Sequence, residues 1–282
     1  MLHKLIEFAV RFYYFLFDRV FLYPLLRYLR NRFDLSFLNL GYKPKLGEQI
    51  LTIVTSELHD EDDAHKPHIY LYEKTLSLCP EYMSLRGKRL LEIGCGHGGG
   101  ILWLLRSHPE LEEVAGVDCV VVNDIDGRII EGSAEKIPYK DESFDIVLNI
   151  ESSHLYADEA AFFRECARVL SPNGYVCWAD LRYHDKICET LEKAHQCGLS
   201  LITFVDITRQ VLSGIQQTAA RYDEMLKNAP WIVQLFRDSL RSTYCAPGTE
   251  PYMRLERREK IYGCACWRNS RYSSSMPLSC TQ

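Results

Sequence analysis

An open α/β fold, a mixed but mostly parallel sheet with helices on both faces, is what this sequence predicts, and three observations predict it. From residue 88 onward, strand-like apolar runs alternate with helical patterns, the order that parallel strands and their covering helices require. The runs "LLEI" and "DIVLN" are almost continuously apolar, as strands buried on both faces must be. The third observation is "LLEIGCGHGGG" at residues 90–100, where five glycines within seven positions follow directly on a strand. Glycine weakens regular structure by up to about 1 kcal/mol per residue, so such a cluster belongs to a loop whose backbone has a task.

Composition sets the outer bounds. The 282 residues are enough to bury a full core. A hydrophobic fraction of 47% and a charged fraction of 25% exclude collagen, coiled coil and general disorder. The net charge of −5 supplies no field that would recruit nucleic acid. The 11 cysteines are scattered, with no C-x-x-C pair, which points to reduced thiols and a cytoplasmic setting rather than a disulfide framework or zinc site.

Residues 1–45 form an aromatic N-terminal helical arm, interrupted by Glu7, Arg11, Asp18 and Arg19 before it reaches spanning length. Two readings fit it: a lid packed on the domain, or an interfacial helix with Arg27, Arg30 and Arg32 toward anionic headgroups, giving peripheral membrane contact through residues 1–35. "FLNLGYKP" then makes a turn-like link, and a charged loop leads into a helix from about His68. His59, Asp60, Asp62, Asp63, His65 and His68 cluster there, but a polar loop without an i, i+4 histidine pair reads as solvated surface rather than a metal site.

The elements that follow are strand "KRLLEI", a helix at residues 99–107, strands "EVAGVD", "GRIIEGSA" and "FDIVLN", helix "DEAAFFRECARVL" and strand "GYVCWAD". Helix "YHDKICETLEKAHQCG", strand "LSLITFVDIT", a long helix from "RQVLSG" and a last strand "KIYGCACWR" complete the domain over residues 46–268. A polar tail, residues 269–282, frays. Only "CVVVNDIDGR" lies between Asp118 and Ile129. Parallel strands ordinarily need a crossover of about a dozen residues or more, so the helix after the second strand is expected to be shortened or absent.

A glycine loop at the carboxyl end of a central strand sits where open α/β sheets bind ligands. Gly94 and Gly96 let backbone approach the ligand, and the free amides of the following helix face its anionic end. A dinucleotide site would use the same glycines. The surrounding residues are more specific. "LLEIGCGHGGG" resembles motif I of class I S-adenosylmethionine-dependent methyltransferases; Asp118 at the end of "EVAGVD", then "EGSAEKIPYKDESFDIVLNIESSH" and "ECARVLSPNGYVCWADLR", resemble the motifs that follow it in that family. "FLNLGY", "IYLYEK", "LNIESSHLY" and "YGCACWR" extend the likeness to the type-11 small-molecule O-methyltransferases of the phthiotriol/phenolphthiotriol dimycocerosate kind.

The resemblance implies a Rossmann-like class I methyltransferase fold with a seven-stranded mixed sheet. A cofactor half covers about residues 86–182 and a substrate-side insert about 183–250. S-adenosylmethionine is the implied donor, and a hydroxyl of a small or lipid-like hydrophobic molecule the implied acceptor. Residue by residue, it assigns Glu92 to the cofactor's amino end, Gly94, Cys95 and Gly96 to the loop beneath it, and Asp118 to the ribose. Ser133, Ala134 and Glu135 fall on the adenine side, Asn149 on the next strand, and Tyr42 with Asn39 closes over the cofactor. Ser133 stands where the family has aspartate; its hydroxyl accepts a hydrogen bond without charge assistance.

Methyl transfer is an in-line displacement, so alignment comes first and no metal is needed. An alcohol nucleophile benefits from a base that removes its proton, by roughly 10²–10⁴-fold. His154, a few residues beyond "FDIVLN", is the candidate base, with helix capping as its other reading. Glu151 orients His154, faces the acceptor, or simply begins the next helix. Glu92, a lone charge at a buried strand end, needs a partner. A catalytically silent membrane-associated relative of the fold, or an N-methyltransferase of a small amine or phosphobase, stands as the alternative function. Nucleic-acid methylation finds little support: the D/N-P-P-Y/F signature of base amino-group methylation would fall at Asn149, where the chain reads "NIES", and no basic stripe accompanies it.

Overall fold

The computed structural model describes residues 36–229, 231–234 and 237–271; residues 1–35 of the expected arm and 272–282 of the expected tail lie outside them, while Asn269, assigned from sequence to the tail, ends the last strand and is buried, its side-chain amide donating to the Ala167 and Leu170 carbonyls. Seven strands form one sheet in the order β3-β2-β1-β4-β5-β7-β6: β1 Arg89–Ile93, β2 Glu113–Asp118, β3 Ile129–Glu131, β4 Phe144–Ile150, β5 Leu170–Tyr183, β6 Leu199–Asp206 and β7 Lys260–Asn269. β1 pairs in parallel with β2 and β4, β2 with β3, and β4 with β5, while β7 runs antiparallel between β5 and β6. This is the Rossmann-like arrangement expected for class I methyltransferases.

The helices are α1 Ile50–Glu57, α2 Lys66–Leu76, α3 Gly99–Ser107, α4 Glu159–Val169, α5 Ile187–Gln196, α6 Thr208–Lys227, then the short α7 Trp231–Gln234, α8 Arg237–Thr243 and α9 Glu250–Glu256. Alternation along each strand divides the core. Leu90, Ile146, Leu148 and Cys177 pack with α2, α3 and α6 on one face; Leu91, Ile93, Val147 and Trp178 pack with α4 and α5 on the other. The start of α4 shows why its boundary was readable: Asp158 Oδ1 accepts from the Ala161 amide at 2.9 Å, a cap worth about 1 kcal/mol. Phe162, Phe163, Cys166 and Ala167 then bury one stripe.

The crossover between β2 and β3 contains no helix. Asp124 Oδ1 accepts from the Gly127 amide at 2.8 Å to close a turn, and Ile125 is buried in the core beside Ile129. Ile125, with Val121 packed against the same core, supplies apolar cover where a helix would otherwise lie, so the segment is a coil-like crossover. "GRIIEGSA" yields only three strand residues for the same reason: β3 has one neighbour and little cover. Residues 36–45, assigned from sequence to the arm, are bound into the body instead. Phe37, Leu40 and Tyr42 are buried in the core, and the Tyr42 amide donates to the Pro67 carbonyl at 2.7 Å.

Candidate active site

A cavity of about 560 Å³ opens at the carboxyl ends of β1, β2 and β4, a size suited to a small-molecule cofactor. Its floor is the β1–α3 loop. Gly94 has φ of +73° and a methyl group there would overlap Ser152 Oγ, so only glycine lets the loop pass this close to the β4 end. At Gly100 a methyl would run into the Tyr72 ring. That close approach puts Tyr72, on α2, into the cavity wall.

The Tyr72 hydroxyl donates to Glu92 Oε1 at 2.6 Å. Glu92 is 1% exposed, and its Oε2 is buried with no partner among the described residues. Burial, offset in part by the Tyr72 hydrogen bond and reinforced by the charge of Asp118, pushes its carboxyl pKa up to about 8. An orphaned carboxylate oxygen at a strand end is a socket for a cationic group.

On the β2 side, Asp118 Oδ2 accepts from the Gly96 amide at 2.7 Å and Oδ1 from the Val120 amide at 3.2 Å. The pair of bonds ties the glycine loop to the start of the helix-less crossover. Ser133 Oγ accepts from the Glu135 amide at 3.1 Å. Glu135 Oε1 in turn accepts from the Ala157 and Asp158 amides at 2.7 and 2.9 Å, clasping the loops after β3 and β4 around the cavity.

The β4 end carries the densest network. Asn149 Nδ2 donates to the Ile93 carbonyl at 2.9 Å and lies 2.7 Å from Ser152 Oγ and 3.0 Å from the Tyr156 hydroxyl. Glu151 adopts φ of +52°, strained for a residue with a Cβ. Its Oε2 accepts from the Leu40 amide at 2.8 Å and from the Tyr262 hydroxyl at 2.9 Å. Burial and the nearby Asp180 charge push its pKa up to about 7. His154 Nδ1 meets Asp180 Oδ1 at 2.8 Å, and the buried Asp180 also accepts from the Ser153 hydroxyl and the His154 amide. Burial opposes charge on His154, but the hydrogen bond to Asp180 and its negative charge, with Glu151 adding, carry the pKa above the usual histidine value. Asp180 is held below the usual carboxylate range: burial works against its charge, and the bonds from His154 and Ser153 and the charge of Arg182 overcome it.

The structure therefore brings Gly94, Cys95, Gly96, Asp118, Ser133, Ala134, Glu135 and Glu151 onto one wall. Glu92 and Asn149 lie one layer behind it, and His154 stands beside the wall residues Ser152 and Leu155, its side chain 31% exposed. Tyr42 is not brought there: its ring is buried in the core and its hydroxyl donates to Glu48 at 2.9 Å. The orienting carboxylate of His154 is Asp180 rather than Glu151. Sequence reasoning missed Asp180, Tyr72, Ser152 and Tyr262. "CWADLR" held one usable signal, a lone aspartate closing a buried apolar strand, the same sign that singled out Glu92.

The chain is similar to several known proteins. The family model described as a methyltransferase domain matches residues 91–178. A Mycobacterium ulcerans protein named probable phthiotriol/phenolphthiotriol dimycocerosates methyltransferase 2 is 35% identical over 237 residues, covering 81% of this chain and 87% of that protein. The fatty-acid O-methyltransferase of Mycolicibacterium smegmatis is 30% identical over 246 residues, 83% of each chain. The solved structure of geranyl diphosphate methyltransferase in complex with S-adenosylmethionine superposes with a TM-score of 0.58 at 16% identity, covering 83% of this chain and 99% of that one. At that identity the likeness establishes the fold alone.

Proposed function

The chain belongs to the S-adenosylmethionine-dependent methyltransferases, and on that premise we propose that it methylates a hydroxyl of a small or lipid-like hydrophobic molecule with His154 as general base. The observation that carries this reading is the His154–Asp180 pair. Asp180 holds Nδ1–H, which leaves Nε2 with no partner among the described residues and able to accept a proton. A carboxylate acceptor is already an anionic nucleophile and needs a countercharge rather than a base. The cavity wall offers Asp118, Glu135 and Glu151 and, among the described residues, no lysine or arginine. The mouth is apolar, with Leu38 and Leu155 55% and 76% exposed.

The residues present fit the cofactor. Glu92 Oε2 would take the ammonium, Asp118 the ribose hydroxyls, and Ser133 with Ala134 and Glu135 would border the adenine. When bound, S-adenosylmethionine supplies an electrophilic methyl on a sulfonium. The chain's own part is alignment by the β1–α3 loop, exclusion of water by the apolar mouth, and removal of the acceptor's hydroxyl proton to His154 Nε2. Asp180 then stabilises the imidazolium that forms.

The apolar arm over residues 1–35 would bring the mouth to a lipid surface; deleting it should reduce pelleting with anionic vesicles. The central test is calorimetric binding of S-adenosylmethionine, followed by label transfer to long-chain alcohols and matched fatty acids. Methyl esters of the acids with no methyl ethers of the alcohols would overturn the proposal.

A further inference from the structure

Asn39 lines the cavity but is only 7% exposed. Its Oδ1 accepts from the Gly41 amide at 3.0 Å and lies 3.1 Å from His68 Nδ1. Its Nδ2 is buried with no partner among the described residues. A backbone N–H only donates, so the amide oxygen must face Gly41, and His68 Nδ1 facing that oxygen must carry the proton. His68 Nε2 is then an acceptor, and the Tyr222 hydroxyl at 3.0 Å is its donor. Burial first, then the neighbouring His65, pushes the His68 pKa down to about 3, so the ring stays neutral. The chain of hydrogen bonds runs one way, from Tyr222 to His68 to Asn39.

We infer that Tyr222 and His68 are positioning residues that hold the Asn39 amide with its N–H pair turned to the cavity, as donor to the carboxylate of the cofactor's amino-acid end. The inference rests on the S-adenosylmethionine reading above and goes beyond it in assigning a carboxylate site and the residues that build it. A buried donor left unsatisfied costs about 1–3 kcal/mol, so its presence on a cavity wall implies a ligand acceptor. The location matches a zwitterion. The Phe37 ring stacks on His68 at 5.8 Å and meets the Tyr72 ring edge-on at 5.7 Å, and Tyr72 donates to Glu92. The orphaned amide donor and the orphaned carboxylate oxygen thus sit at the same end of the cavity, one suited to a carboxylate and the other to an ammonium. An anionic acceptor makes the Asn39 bond charge-assisted, about twice as strong as a neutral one.

The test uses S-adenosylmethionine and decarboxylated S-adenosylmethionine, which differ only in the carboxylate, with calorimetric affinity on the full-length chain as readout. Asn39→Leu should weaken S-adenosylmethionine about tenfold or more and leave the decarboxylated ligand within about twofold. Tyr222→Phe, a part-buried site outside the core cluster, should weaken S-adenosylmethionine about threefold with no change for the decarboxylated ligand. Equal losses for both ligands, or no loss in Tyr222→Phe, would overturn the inference. A wild-type protein that binds neither ligand would overturn the cofactor reading itself.

Discussion

Asp180→Asn keeps the shape of a buried side chain and removes its charge. In the wild type Asp180 accepts from His154 Nδ1 at 2.8 Å and from the Ser153 hydroxyl at 2.7 Å, and it pairs with Arg182 at 3.0 Å. An amide in that place can present N–H to His154 Nδ1, which moves the ring proton to Nε2 and blocks the atom proposed to accept the alcohol proton. Where the tautomer survives, the charge-assisted bond that steadies the imidazolium is still lost, about 1.5–3 kcal/mol. That corresponds to roughly 10- to 100-fold in kcat/KM. The pH dependence separates this from general damage. His154 must be neutral to act, and its pKa lies above the usual value, so wild-type kcat/KM rises with pH along a limb displaced to the alkaline side. Without Asp180 the burial that pushes the histidine down is left less opposed, and the limb moves to lower pH while the plateau falls. Glu151, at about 7, titrates in the same window, so Glu151→Gln is measured in parallel and a limb that vanishes there belongs to Glu151. The assay is label transfer to the best long-chain alcohol between pH 5.5 and 9. A kcat/KM within twofold of wild type with the limb unmoved would remove the dyad from the mechanism.

Other predictions test neighbouring parts of the structure. Glu92, with a pKa of about 8 in the free protein, should release close to one proton per cofactor bound at pH 7 as the ammonium ionises it; calorimetry in buffers of different ionisation heat should find this release absent in Glu92→Gln, and equal release in both proteins would detach Glu92 from the cofactor. Gly94→Ala forces a methyl against Ser152 at a positive φ and should destabilise by about 2 kcal/mol, lowering Tm by roughly 5 °C, whereas an unchanged Tm would show that the loop yields freely. Away from the cavity, buried Glu73 accepts from Tyr82, Trp103 and His108. The His108 pKa is raised: burial opposes its charge, and the hydrogen bond and negative charge of Glu73 outweigh it. Its contribution is therefore complete below the unfolded-state pKa and lost as pH rises through the folded one. His108→Gln should lose about 2 kcal/mol in urea unfolding at pH 5.5 and less at pH 9, and a deficit independent of pH would contradict the pairing.

The sheet was legible because its signals are local: apolar runs, a glycine loop, and Asp158 ahead of an amphipathic stripe. The missing β2–β3 helix was legible too, since ten residues cannot hold a helix and two turns. The cavity wall could be named through motif I and the residues that resemble its successors. What escaped were partnerships across the fold. Asp180 and His154 lie 26 positions apart on neighbouring elements, and no spacing rule joins them. Tyr72 appeared only as part of "IYLYEK", with nothing to join it to Glu92 20 positions away. Tyr42 misled because a tyrosine beside a glycine turn looks the same in sequence whether it faces a ligand or a core.

The helix-less link between β2 and β3 bears on how the chain reaches its native state. Gly116 pairs with Ile129 thirteen positions further on, whereas the β1–β4 pair, one strand deeper in the sheet, must bring Leu90 to Ile146. Closing the shorter loop sacrifices about 1 kcal/mol less chain entropy. Loop closure therefore opposes pairing least at this edge of the sheet, so the three residues of β3 can join β2 as soon as β2 itself is covered.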